Sequence, residues 1–87
     1  MKEIEVNKNI VIKDLLDETI LLNLDNGEYY SLNSTGLKVW QFLEQKKTKS
    51  EIIQLLEEDY PDDSIAIKSD IETILQELQK QKLIYVS

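Results

Sequence analysis

Carboxylates, lysines, tyrosines and hydroxyls are the only side chains available for chemistry here, because the chain contains no histidine, cysteine or arginine. Without histidine the usual general base and the usual zinc ligand are missing. Ser31, Ser34 and Ser50 therefore have no partner for triad chemistry. Without cysteine there are neither disulfides nor thiolate metal sites. A metal would have to be held by acids alone. Asp59, Asp62 and Asp63 flank Pro61, but the spacing of a calcium-binding loop is absent, and the cluster reads as helix capping and solvation. The runs Glu57-Glu58-Asp59 and Asp17-Glu18 put carboxylates side by side, as acid–base work requires, yet no apolar surround frames them. The two glycines, Gly27 and Gly36, do not make a phosphate loop. The expectation is a chain with no catalytic residue, no cofactor and no metal.

Charge narrows the partners. The net charge is −7 and all ten cations are lysine, so bidentate readout of phosphate or guanine is not available. Residues 1–33 carry 3 lysines against 7 acids and residues 34–87 carry 7 against 10, so no basic half stands out as a nucleic-acid face. The local cluster Lys46, Lys47 and Lys49 reads as a solvated loop. No apolar run approaches the roughly 20 residues of a membrane span. Met1-Lys2-Glu3-Ile4-Glu5 lacks the apolar core of a signal peptide. A cytoplasmic protein with neither nucleic acid nor membrane as partner is expected. Apolar residues make up 41% of the chain. That suffices for one core, so residues 1–87 are expected to form a single domain.

The elements that must position these groups fall into two blocks. Residues 1–33 alternate like strands and residues 34–87 have helical spacing. This predicts an α+β fold, with a small antiparallel sheet of about three strands followed by three helices. One or two short strands are expected around Ile4, Val6 and residues 10–12, with a turn at residues 14–18. A strand over residues 19–24 and another over 28–33 flank Asp25-Asn26-Gly27, a hairpin signal. A three-residue loop with Gly27 left-handed would pair Leu22 with Tyr30 and Ile20 with Leu32 on one apolar face. Leu21, Tyr29 and Ser31 would then point to the other. Asn33-Ser34-Thr35 offers an N-cap for the first helix. Thr48-Lys49-Ser50-Glu51 fits a capping box for the second, which Tyr60-Pro61 stops. Asp62, Asp63 and Ser64 precede the third helix, although a second box at Ser69 and Glu72 could mark its start. Leu83 to Val86 is a candidate closing strand. Leu32, Trp40, Leu56 and Leu75 are expected in the core.

Binding, rather than catalysis, is where residues of interest remain. Tyr29-Tyr30 lie in a strand, residues 28–33, that has one charge, Glu28, and no proline to protect an edge. An unpaired edge there can be extended by a peptide strand. The third helix carries Ile67, Ile71, Ile74, Leu75 and Leu78, a stripe wide enough to pack in the core and also to floor a groove.

Four stretches in order resemble the PqqD-like family, the recognition elements of ribosomally made and modified peptides. Residues 19–33 resemble its hairpin ending in Leu32-Asn33, and Ser34-Thr35-Gly36 with Val39-Trp40 its first helix. Thr48, Glu51, Ile52, Ile53 and Leu56 resemble its second helix, and Asp70-Ile71, Leu75, Leu78 and Leu83-Ile84 its third helix and closing segment. The chain departs from the pattern after Phe42-Leu43-Glu44, where the linker is lysine-rich and lacks the glycine many members carry. The resemblance implies a winged-helix-like fold and no catalysis by the domain itself. It implies that a precursor's leader peptide adds as a strand on Glu28, Tyr29, Tyr30, Ser31 and Leu32, against Ile67, Asp70, Ile71 and Ile74 of the third helix. It also implies a partner that does the chemistry, either a leader peptidase, as in lasso-peptide pathways, or another modifying enzyme. The lasso type is favoured. The rival readings are a winged-helix DNA-binding regulator, which the charge opposes, and a protein–protein docking domain using the same strand edge.

Overall fold

A computed structural model describes residues 4–16 and 18–86. Asp17, within the expected turn, and the terminal residues Met1, Lys2, Glu3 and Ser87 lie outside the described residues. The strands are β1 (Ile4–Val6), β2 (Ile10–Asp14), β3 (Thr19–Asn23), β4 (Tyr29–Leu32) and β5 (Ile84–Val86). The helices are α1 (Ser34–Glu44), α2 (Lys49–Asp59) and α3 (Ser64–Lys80), with a 3-10 turn, Pro61–Asp63, before α3. β2, β3 and β4 form an antiparallel sheet in that order, and β1 pairs with β5 in a separate antiparallel ribbon. The two ends of the described chain are thus joined by Ile4 opposite Val86 and Val6 opposite Ile84.

α1 and α2 begin on side-chain caps, whereas Asp63 at the N-cap of α3 makes no side-chain cap hydrogen bond. Asn33 Oδ1 accepts from Gly36 N at 2.8 Å and so caps α1. Thr48 and Glu51 exchange both bonds of the capping box at α2. Pro61 keeps the residue before it out of the helical region, and α2 ends at Asp59. α3 begins at Ser64, so the alternative box at Ser69 and Glu72 falls inside the helix. α1 and α3 both end without glycine. Lys47 N donates to Phe42 O and Leu83 N donates to Leu78 O, a six-to-one closure. The left-handed residues that permit it are Lys46 (φ 64°) and Lys82 (φ 60°). An L side chain is disfavoured in that conformation by about 1–2 kcal/mol.

The core joins Leu21 and Leu32 of the sheet to Val39, Trp40 and Leu43 of α1, Ile52 and Leu56 of α2, Ile71, Leu75 and Leu78 of α3, and Leu83 and Ile84. All four residues expected in the core, Leu32, Trp40, Leu56 and Leu75, are buried. At Gly36 an added Cβ would stand 3.1 Å from Leu32 Cδ2, so the missing side chain lets α1 close on β4.

The hairpin register corrects the sequence reading. Leu21, not Leu22, stands opposite Tyr30, and Thr19, not Ile20, opposite Leu32. The inward side of β3 is therefore Thr19, Leu21 and Asn23, all buried, while Ile20 and Leu22 lie half-buried on the outer face. Counting apolar residues favours the opposite face, but it ignores the partners that burial supplies. Asn23 Nδ2 donates to Gln81 O (3.2 Å) and Lys82 O (3.4 Å), while its Oδ1 accepts from Asp25 N. Thr19 Oγ1 donates to Asp14 Oδ1. A buried polar group with its bonds made is tolerated, and a one-residue slip moves every side chain to the other face. Gly27 is left-handed as expected (φ 75°), but it closes a longer loop through Gly27 N to Asn23 O. Asn23→Ala should strip the turn after α3 of these donors and cost about 1–3 kcal/mol. Denaturant titration measures it, and a loss below a few tenths of a kcal/mol would mean that solvent replaces the amide there.

Candidate functional site

β4 is an edge strand, since among the described residues its one neighbour in the sheet is β3. Its hydrogen-bonding phase follows from one contact. Asn23 N donates to Glu28 O at 2.8 Å, making 23 and 28 a bonded pair. Bonded and non-bonded pairs alternate along an antiparallel ladder. Tyr30 and Leu32 therefore direct their N–H and C=O groups to Leu21 and Thr19, whereas Tyr29 and Ser31 direct theirs to the open edge. Beside that edge runs a groove of about 300 Å³ between β4, the first turn of α1 and one face of α3.

The structure brings together Tyr30, Ser31, Leu32, Asp70 and Ile74 of the residues singled out from sequence, all of which line this groove. Glu28 is exposed just before β4, and Tyr29, 72% exposed, lies on the outer face of the sheet opposite Leu22. Ile67 (7% exposed) and Ile71 (0%) are turned into the core beneath the groove, which leaves Ile74 as the half-buried isoleucine of α3 that lines it. The stripe on α3 reads in sequence as serving core and groove together. In three dimensions the helix splits the duties, with 67, 71, 75 and 78 inward and 70, 73, 74 and 77 along the groove.

Sequence reasoning missed Asn33, Thr35, Gly36, Thr73 and Glu77. Thr73 and Glu77 carried a signal, since they follow Asp70 at i+3 and i+7, the spacing of one helix face. Glu77 accepts a hydrogen bond from the Tyr30 hydroxyl and ties α3 to β4 across the groove. Ser31 Oγ donates to Glu18 Oε2 at 2.6 Å.

The Tyr30 phenol is pushed up to about 12 from an ordinary value of 10.0, first by burial, then by the hydrogen bond to Glu77 and its negative charge. The folded state thus holds this proton more tightly than the unfolded chain. The associated stability is fully present below pH 10.0 and is lost as pH rises through about 12. Glu77→Gln should return the phenol towards its ordinary value in an ultraviolet phenolate titration. An unchanged titration would leave burial as the whole cause.

Among the described residues, no cluster of three or more acids converges as a metal site, and no helix is long and apolar enough to cross a membrane. The family model described as Coenzyme PQQ synthesis protein D (PqqD) matches residues 18–84. The chain is also similar to a solved structure of TbiB1 in complex with the TbiA(beta) leader peptide, with 28% identity over 92% of this chain and 93% of that one and a TM-score of 0.80. A lasso peptide synthetase B1 complexed with the leader peptide shares the fold, with a TM-score of 0.82 over 95% of this chain and 98% of that one at 22% identity. No curated protein sequence matches. The family match runs from the residue before β3 to the first residue of β5, enclosing the hairpin, the three helices and the groove: the chain belongs to the PqqD family.

Proposed function

We propose that this protein is a non-catalytic adaptor that binds the leader peptide of a ribosomally made precursor and presents it to a modifying enzyme, a leader peptidase in a lasso-peptide pathway. The observation that carries the reading is the open edge of β4 beside the groove on α3, in a chain similar to one solved with a leader peptide. The leader adds as a fourth strand, bonding to the outward N–H and C=O groups of Tyr29 and Ser31. Its side chains on the inner face settle between Tyr30 and Ile74, with Asp70 and Glu77 offering carboxylates at the rim. Glu28 and Leu32 bound the paired stretch, and Ile67 and Ile71 support it from below.

The energetics permit useful affinity. Two or three apolar anchors at about 1.5–3 kcal/mol each and several strand bonds at about 0.5–1.5 kcal/mol each oppose an association cost of about 4–15 kcal/mol. Binding near 1 μM, about −8.2 kcal/mol, is within reach.

Hydrogen exchange with and without the leader tests the site. Slowed exchange is expected in residues 28–33 and on α3 around residues 70–77. Protection centred on residues 46–50 would reject this site.

A further inference from the structure

On the opposite side of the sheet from the β4 edge lies a second groove of about 850 Å³, bounded by β1, the turn at residues 7–9, β2 and the C-terminal end of α1. Its accessible apolar wall is Val6, Ile10 and Ile12, with the buried Trp40 (1% exposed) and Leu43 (2%) beneath it. Ile12 is 42% exposed although it sits on the inward face of β2 opposite Leu21, so the core does not cover it.

Two strand edges border this groove. Among the described residues β1 pairs with β5 alone and β2 with β3 alone. Leu24 N donates to Asn9 O, which makes 9 and 24 a bonded pair. By the alternation of the ladder, Val11 and Lys13 bond to β3, while Ile10 and Ile12 direct their backbone groups to the free side. In the same way Asn7 N donates to Leu83 O, so Glu5 bonds to β5 and Ile4 and Val6 are free on the other side. These backbone donors and acceptors can pair an extended chain.

Charge selects that chain. Lys8, Lys46 and Lys47 line the groove against Glu5 and Glu44, a local excess of cations in a molecule of net charge −7. The loop bearing two of these lysines is held in place by the left-handed residue Lys46 and by the bond from Lys47 N to Phe42 O.

We infer that this groove is a second strand-addition site, which takes an extended segment of a partner protein in which apolar residues alternate with carboxylates. The apolar residues lie on Ile12, Ile10 and Val6, the backbone pairs with β2 at Ile10 and Ile12, and the carboxylates meet Lys8, Lys46 and Lys47. The site is independent of the β4 edge, so a leader and a partner segment can be held at once.

Trp40, the only tryptophan of the chain, lines this groove and not the one at β4, so its emission reports occupancy. The probe is an acetylated peptide of alternating valine and glutamate, with a valine–lysine peptide of equal length as control. A saturating change in Trp40 emission is expected with the glutamate peptide alone, weakening as salt rises from about 0.05 to about 0.5 M. The surface variant carrying Lys46→Glu and Lys47→Glu should bind about tenfold more weakly. Ile12→Pro, with circular dichroism as the check on folding, should not bind. No response to the glutamate peptide, an equal response to the lysine peptide, or full retention in the lysine variant would overturn the site. Sedimentation showing a concentration-dependent dimer that Ile12→Pro dissolves would overturn the assigned occupant in favour of a second copy. Hydrogen exchange at residues 28–33 with the leader separately tests the β4 site and is expected to be unaffected by the lysine variant.

Discussion

Ser31→Pro is expected to abolish leader binding while the domain stays folded. Ser31 directs its N–H to the open side of β4, because the bonded pairs of the ladder are 19 with 32, 21 with 30 and 23 with 28. Proline removes that donor and places a ring where the incoming strand must lie. Edge positions whose N–H faces solvent accept proline, so the sheet itself loses no bond. The loss comprises a strand hydrogen bond at about 0.5–1.5 kcal/mol and a peptide carbonyl left without its donor. With the steric block added, affinity should fall at least about tenfold, since about 1.4 kcal/mol is a factor of ten. Tyr30→Pro is the contrast. Its N–H is spent on Leu21, so that variant should unfold the hairpin rather than spare it. Anisotropy of a labelled leader measures the first effect and circular dichroism the second. Unchanged affinity in a folded Ser31→Pro variant would remove strand addition at this edge from consideration.

Ile71→Ala is expected to be the more damaging change to the fold and the less informative one for binding. The side chain is fully buried among the three helices and the sheet. Truncating a buried isoleucine to alanine costs about 2–5 kcal/mol, the transfer term plus the cavity left behind. A domain of this size holds about 4–13 kcal/mol, at about 0.05–0.15 kcal/mol per residue, so the variant should lie close to its unfolding threshold. The midpoint should drop by about 10 °C or more. The folded fraction should still bind leader, because Ile71 presents no surface to the groove. Ile74→Ala should show the reverse balance, with a smaller stability loss and a clear loss of affinity, because Ile74 is half-buried and lines the groove. Thermal melts and leader titrations on the same preparations separate the two. A loss under about half a kcal/mol for Ile71→Ala would mean that the inward stripe of α3 has been misassigned.

The elements whose signals are local were legible from residues alone. Thr48 and Glu51 form their capping box, Asn33 caps α1, Pro61 ends α2, and the helix stripes bury Trp40, Leu56 and Leu75. The edge residues Tyr30, Ser31 and Leu32 were recognisable as well, because alternation in β4 placed Tyr30 and Leu32 inward. On α3 the resolution was coarser. A stripe of isoleucine and leucine shows which side of a helix is apolar, but not where the core ends and a groove begins. Asp70 and Ile74 came out on one side of that line, with Ile67 and Ile71 on the other.

By itself, then, the sequence determined the three helices, the caps of α1 and α2, the left-handed Gly27 and the exclusion of histidine, cysteine and arginine chemistry. Each depends on composition or on neighbours close along the chain. Tertiary structure alone decided the register of β3 against β4, the pairing of β1 with β5, and the division of α3 between core and groove. The physical reason is the same in all three. Asn23 can be buried only because the carbonyls of Gln81 and Lys82, 58 and 59 residues away, accept from its amide. Likewise β1 finds its partner at the far end of the chain. Contacts of that sequence separation leave no periodic trace, and they outweigh an apolar count made on one strand because a polar group with its hydrogen bonds complete no longer opposes burial.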